Sequence, residues 1–330
     1  MRKTALFCNS NRIEDVYGMG RRQRLAAVSD LYPQVVSEKT FDDHAAHLAG
    51  VEAIFSTWGM WPLSVGQMAR LPALKVLFYA AGSVKAIAPP LHARGIRVVS
   101  GWGANAVPVA EFTYAQILLS NKGYFGNTRA YHATRQRGGI SYGPGNFAVT
   151  VAILGAGQVG RTVIRLLKNS ALDVLVWDPL LSPEQAAELG VEKVESLAGV
   201  FARASIISNH LASVPATRGL ITGALIESMP AQATFINTGR GATVVERELI
   251  EALRRRPDLA ALLDVTDPEP PPPDSPLFDL PNAWLSTHIA GAIGHEVVRM
   301  ADAMIEEFSA WEQGEPLRYE VTAGMLEQMA

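Results

Sequence analysis

A chain of 330 residues exceeds what one hydrophobic core usually organises, so two compact units with a cleft between them are expected. Its 48% hydrophobic residues, 18% charged residues and formal net charge of -3 are those of an ordinary globular protein. They supply no broad basic field for nucleic acid or a membrane surface, which leaves a small molecule as the expected partner.

The single cysteine, Cys8, excludes an intramolecular disulfide, and no apolar run reaches signal-peptide or transmembrane length, so the expected location is cytoplasmic. In chain order, short apolar runs at Thr4 to Cys8, Val51 to Ser56, Leu74 to Ala80 and Arg97 to Ser100 alternate with mixed segments, which predicts an α/β layer structure. The cluster Trp58, Met60 and Trp61 follows one of these strands and either faces the cleft or packs in the core. Val107 to Lys122 is apolar on a broad helical face, with Asn105 as its cap, and predicts a long helix crossing between domains. Tyr124 to Phe147, rich in Gly, Arg and Tyr with little periodicity, predicts a loop or an exchanged arm.

From Val149 the alternation restarts, with strands predicted at Val149 to Leu154, Val174 to Trp177, Ser205 to Ser208, Ala233 to Ile236, Ala260 to Leu263 and Ala283 to Ser286. This pattern reads as a doubly wound parallel sheet. Arg254, Arg255 and Arg256 close a helix that Pro257 terminates, in preference to forming an anion site. Gly291 to Trp311 predicts a second long helix that returns the chain to the first domain.

The segment Val149-Thr-Val-Ala-Ile-Leu-Gly155-Ala-Gly157-Gln158-Val159-Gly160 places a G-x-G-x-x-G pattern at a strand–helix junction. Gly155 permits the tight turn, Gly157 lets the backbone approach a pyrophosphate, and Gly160 lets helix and strand pack closely. Asp178, at the end of the next strand, is placed to accept hydrogen bonds from an adenosine ribose. An acid there repels a 2′-phosphate, and Pro179-Leu180-Leu181 supplies no arginine to receive one, so NAD is favoured over NADP.

Three further residues follow strand ends of the same sheet. Arg240, in Asn237-Thr-Gly-Arg-Gly241, offers a planar guanidinium able to hold carboxylate and carbonyl oxygens together. His288, in Ser286-Thr-His-Ile-Ala-Gly291, is suited to giving and taking a proton near neutrality. Glu269, in Asp264-Val-Thr-Asp-Pro-Glu-Pro270, is suited to orienting that imidazole and favouring its protonated form. Each alone has a structural explanation; their shared placement where ligands bind to such sheets makes them a catalytic set.

Over nearly its whole length the chain resembles the D-isomer-specific 2-hydroxyacid dehydrogenase family. The matching segments are Leu74 to Ser83, Val109 to Thr113, the glycine turn with Asp178, His210 to Ile221, the Arg240 segment, Asp264 to Pro270 and Thr287 to Gly291. The resemblance implies two Rossmann-like doubly wound parallel-sheet domains, the NAD domain (104–292) being inserted into a split substrate-binding domain (1–103 plus 293–330). It implies hydride transfer between NAD(H) and C2 of a small 2-hydroxy/2-keto acid, D-stereospecific and similar to a glyoxylate or hydroxypyruvate reductase, with Arg240, Glu269 and His288 catalytic. It places the cofactor on Gly155, Gly157, Gln158, Val159, Gly160, Asp178, His210, Thr217, Thr238 and Asp264, the last two at the nicotinamide end. The substrate falls to Arg240, His288 and the backbone of Ala81, Gly82 and Ser83, with no metal. A homodimer is implied, with the Tyr124 to Phe147 arm as its contact.

The chain departs from the family pattern at Thr287 and Ala212, where proline is common, and at Ser83-Val84-Lys85, which lacks the usual aspartate. Two rival readings are a dinucleotide-sensing binding module without efficient turnover and a phosphite- or formate-type dehydrogenase. Formate enzymes of this kind carry glutamine where this chain has Glu269.

Overall fold

The computed structural model describes residues 1–137 and 142–327. These divide into two compact units, one formed by Met1–Asn105 with the segment from Ala292 onward, the other by Ala106–Gly291.

In the first unit, β1 (Lys3–Phe7), β2 (Asp30–Val36), β3 (Ala53–Ser56), β4 (Val76–Tyr79) and β5 (Arg97–Ser100) form one parallel sheet in the order β2-β1-β3-β4-β5. Helices cover both of its faces, so the inner strands β3 and β4 are buried at every residue and read as continuous apolar runs. One face packs Phe55, Phe78 and Phe308, their ring centroids 5.0 to 5.8 Å apart. Phe308 comes from the helix Val298–Gln313, so the returning chain completes this core. On the other face Trp61 is buried and stacks on Phe7 at 5.5 Å, while Trp58 and Met60 pack against the core as partly buried residues. Packing is therefore the structural role of that aromatic cluster.

In the second unit, β6 (Phe147–Leu154), β7 (Ala171–Trp177), β8 (Glu192–Lys193), β9 (Ile206–Asn209), β10 (Thr234–Asn237), β11 (Ala260–Leu263) and β12 (Ala283–Leu285) are all parallel, in the order β12-β11-β10-β9-β6-β7-β8. The strand order reverses between β6 and β9, and a doubly wound sheet binds its ligand outside the strand carboxyl ends at that point. Leu154 and Asn209 are paired there, so the glycine turn after β6 and His210 after β9 flank the same crevice.

Four expectations need correction. Tyr124–Thr134 is a helix, not a loop; it buries no residue, so no apolar periodicity marked it, and residues 138–141 of the expected arm lie outside the described residues. The crossing helix begins at Trp102, which puts Asn105 inside it and not at its cap; the Asn105 side chain instead accepts from Ala292 N at 3.0 Å. The returning α-helix starts at Val298 after a 3-10 turn, Gly294–Val297, and not at Gly291. Strands β2 and β8 were not expected, because both are sheet edges with mixed polar sequences, and β2 contains Pro33. Arg254, Arg255 and Arg256 pair with Glu251, Glu227 and Asp258 around the helix end, as surface ion pairs do.

Candidate functional site

The glycine turn is built by backbone sterics. Gly155 has φ +90°, a left-handed conformation that side chains avoid, and a Cβ on Gly160 would lie 2.0 Å from the Gly155 carbonyl oxygen. A side chain at Gly155 would be strained and press on the His210 backbone, and one at Gly160 would push the helix Gln158–Leu167 off the sheet. A Cβ on Gly157 would meet nothing, so the surface above it is open. The first-turn N–H groups at Gln158, Val159 and Gly160 have no partner within the helix, and they point at that open surface as an anion site requires. These residues fit a dinucleotide pyrophosphate.

Asp178 fastens the turn as well as closing it: its carboxylate accepts from Ala156 N at 2.6 Å and from Leu180 N at 2.8 Å. Each oxygen keeps a lone pair for a ribose hydroxyl. Across the crevice His210 bonds through Nε2 to the Ser208 hydroxyl at 2.9 Å, and through Nδ1 to Thr238 Oγ1 at 3.4 Å. Desolvation pushes its pKa down to about 3, so it is a neutral ring at working pH. Thr238 also meets Thr113 Oγ1 at 3.0 Å. Thr217 serves its own loop, accepting from Val214 N and donating to Ala212 O.

Glu269 and His288 are brought together. His288 Nδ1 lies 2.5 Å from Glu269 Oε1, both side chains being partly exposed, which leaves Nε2 as the nitrogen for a ligand. The histidine has φ +57°, an uncommon backbone state for a residue with a side chain. Asp264 holds it there. Its carboxylate, only 2% exposed, accepts from Ser286 Oγ at 2.6 Å, Ile289 N at 2.8 Å and Ala290 N at 2.9 Å, while its carbonyl accepts from His288 N at 3.0 Å. The hydrogen bonds of Asp264 thus go first to the histidine loop.

Arg240 stands at the end of β10 with Nη1 donating to Gly239 O at 2.7 Å. Desolvation lowers its pKa and the nearby Glu269 charge opposes that; a guanidinium remains cationic regardless. The Gly239–Gly241 backbone is held from below by two asparagines at strand ends. Asn237 Nδ2 donates to Arg240 O at 3.3 Å and Asn237 Oδ1 accepts from Gly239 N at 3.1 Å; Asn209 Nδ2 donates to Asn237 Oδ1 at 3.0 Å. A Cβ on Gly241 would sit 2.0 Å from the Thr266 backbone, so the Arg240 and Glu269 segments touch. Asn209, Asn237, Thr113 and Ser286 escaped the sequence reading. For Asn209 and Asn237 the available signal was a polar residue closing an otherwise apolar strand.

Ala81, Gly82 and Ser83 follow β4 in the first unit. The Ala81 N–H is committed to Tyr79 O at 2.8 Å. Among the described residues Gly82 N and Ser83 N donate to no backbone carbonyl, so those two are the donors the expected trio retains.

Residues 127–290 match the family model described as D-isomer specific 2-hydroxyacid dehydrogenase, NAD binding domain. The chain is 30% identical over 234 residues to D-3-phosphoglycerate dehydrogenase of Archaeoglobus fulgidus, covering 71% of this chain and 44% of that one. It is 28% identical over 264 residues to glyoxylate reductase of Korarchaeum cryptofilum, covering 77% and 78%. It therefore spans less than half the length of the first of these relatives. A solved phosphoglycerate oxidoreductase from Rhizobium etli shares the fold, with a TM-score of 0.82 at 24% identity over 98% of this chain and 99% of that one.

Proposed function

The chain belongs to the D-isomer specific 2-hydroxyacid dehydrogenase family, and from that premise we propose that it reduces a small 2-keto acid to the D-2-hydroxy acid with NADH, reversibly. The observation that carries this reading is the Glu269–His288 pair at 2.5 Å, beside a desolvated Arg240, on the strand ends of a dinucleotide sheet. Bound NADH supplies the reducing equivalents. Arg240 grips the substrate carboxylate and carbonyl oxygen, and its desolvation strengthens that grip as negative charge grows on the oxygen. His288 delivers a proton from Nε2 to the same oxygen, and Glu269, accepting at Nδ1, keeps the ring turned. Asp178 takes the ribose hydroxyls and repels a 2′-phosphate, which favours NAD over NADP. His210, Thr217, Thr238 and Asp264 complete the nucleotide side.

Substrates of the size of glyoxylate and hydroxypyruvate fit this reading, supported by the likeness to glyoxylate reductase. A homodimer belongs to it as well; the helix Tyr124–Thr134, which buries no residue and exposes Tyr124 and Tyr131, is the surface we assign to that contact. No helix among the described residues is long and apolar enough to cross a membrane, and the cytoplasm is the location we propose.

The test is NADH consumption by the purified protein against glyoxylate, hydroxypyruvate, pyruvate, phenylpyruvate and branched-chain keto acids, with NADPH and His288→Ala as controls. Turnover that prefers NADH and falls about 10²- to 10⁴-fold in the variant is expected for loss of a general acid. NADH binding without turnover on any member of the panel would overturn the reading in favour of a dinucleotide sensor.

A further inference from the structure

The acid–base pair depends on a loop with almost no backbone donors by which it can be held. Five of the six residues 268–273 are prolines, which carry no N–H. The Asp267 N–H is therefore the last backbone donor before Glu269 itself. It is taken by the Glu246 side chain, with Oε2 accepting at 3.1 Å.

Glu246 opens the helix Glu246–Arg255, immediately downstream of the Arg240 segment. The backbone between the two is laddered to a neighbouring loop by Gly219 N to Ala242 O and Val245 N to Ile221 O, both 2.9 Å. The Thr266 hydroxyl donates to Pro268 O at 2.8 Å, and Arg218 pairs with the Asp267 carboxylate at 3.3 Å. The Glu246 carboxyl is pushed upward in pKa by burial; the Asp267 N–H bond opposes this and the Asp267 charge adds to it. An acid at a helix start complements the helix dipole wherever its side chain points. That role asks for no bond to a different loop, nor for a half-desolvated position beside another carboxylate.

We propose that Glu246 is a positioning residue for the reaction: by fixing Asp267 it sets where Glu269 stands against His288, and it ties the acid–base loop to the Arg240 segment. The inference rests on the functional reading above.

The test compares wild type with Glu246→Ala, Glu246→Asp and Glu246→Gln in turnover of a 2-keto acid with NADH. Glutamine keeps an oxygen able to accept from Asp267, whereas aspartate keeps the charge and loses the reach. The expected result is near-normal activity in the glutamine variant and a kcat about 10- to 100-fold lower in the alanine and aspartate variants, with KM for NADH within about twofold of wild type. In parallel, the His288 imidazole titration is followed by NMR. It moves in Glu246→Ala toward that of Glu269→Gln, and stays with wild type in Glu246→Gln. Equal losses in the glutamine and alanine variants, a fall in NADH affinity that tracks kcat, or a His288 signal that does not move would each overturn the proposal. If the alanine variant does not fold, the contrast between aspartate and glutamine decides. If wild type reduces no 2-keto acid, the functional reading fails, while the His288 titration still tests the positioning.

Discussion

The glycine turn and the Glu269–His288 pair occupy strand ends of one sheet but are built in different ways. The turn is local: within Gly155–Gly160 its shape follows from what a Cβ would strike, and a single carboxylate, Asp178, ties it to the next strand. The pair joins residues 19 apart in sequence and stands on side chains from other segments of the chain. Asp264 holds the histidine in its left-handed backbone state, two asparagines hold the arginine loop, and Glu246 holds the proline-rich segment. A site made from backbone sterics fails at its own residues. One made from side-chain hydrogen bonds also fails at a distance.

The comparison breaks first at Asp264. Removing its carboxylate in Asp264→Ala leaves the Ser286 hydroxyl and two loop N–H groups without acceptors, and a loss of about 3 kcal/mol in urea unfolding is expected. NADH affinity in whatever fraction stays folded should fall less than in Gly160→Ala, because Asp264 is assigned to the nicotinamide end and the glycine turn does not depend on it. A loss below about 1 kcal/mol would mean that water replaces the acceptor and that the loop is not held as described.

Gly160→Ala reverses the pattern. The added methyl strikes the Gly155 carbonyl, and relief by displacement of the helix should cost about 2 kcal/mol of NADH binding, read by calorimetry. The Glu269–His288 pair should be undisturbed, as judged by the His288 titration. If both sites weaken together, they are one unit and the contrast is wrong.

The smallest effect concerns His210, on the turn's side of the crevice. Its pKa in the folded chain is about 3, against 6.5 for an ordinary imidazole, so the unfolded chain takes up a proton first. Its full stability contribution is present above 6.5 and is lost as pH falls from there toward 3. Between about pH 7 and 5.5 wild type should lose on the order of 1 kcal/mol more than His210→Gln. Equal pH slopes would mean that the ring is solvated and that the crevice is wetter than its hydrogen bonds imply.

The two regions also differed in how openly the sequence announced them. The glycine spacing, the acid after the next strand and the buried parallel strands were legible, because each is a short-range pattern imposed by sterics or by burial on both faces of a sheet. Arg240, Glu269 and His288 were legible as residues after strand ends. Their supports were less so: Asn209, Ser286 and Glu246 bond to partners far along the chain, and a polar residue closing an apolar strand, as at Asn209 and Asn237, does not say which loop it holds. The helix Tyr124–Thr134 was missed for a related reason. It buries no face, so it carries none of the periodicity by which a helix declares itself.

By itself, then, the sequence determined the layer class, the strand positions of both sheets' interiors and the nucleotide turn, and it singled out Arg240, Glu269 and His288 as candidates after strand ends. Tertiary structure alone decided that Glu269 reaches His288, that Asp264 is committed to the histidine loop and that the Asp267 N–H goes to Glu246. Chain-local patterns record steric and burial constraints between near neighbours. A hydrogen bond between distant segments exists only once folding has brought donor and acceptor to the same place.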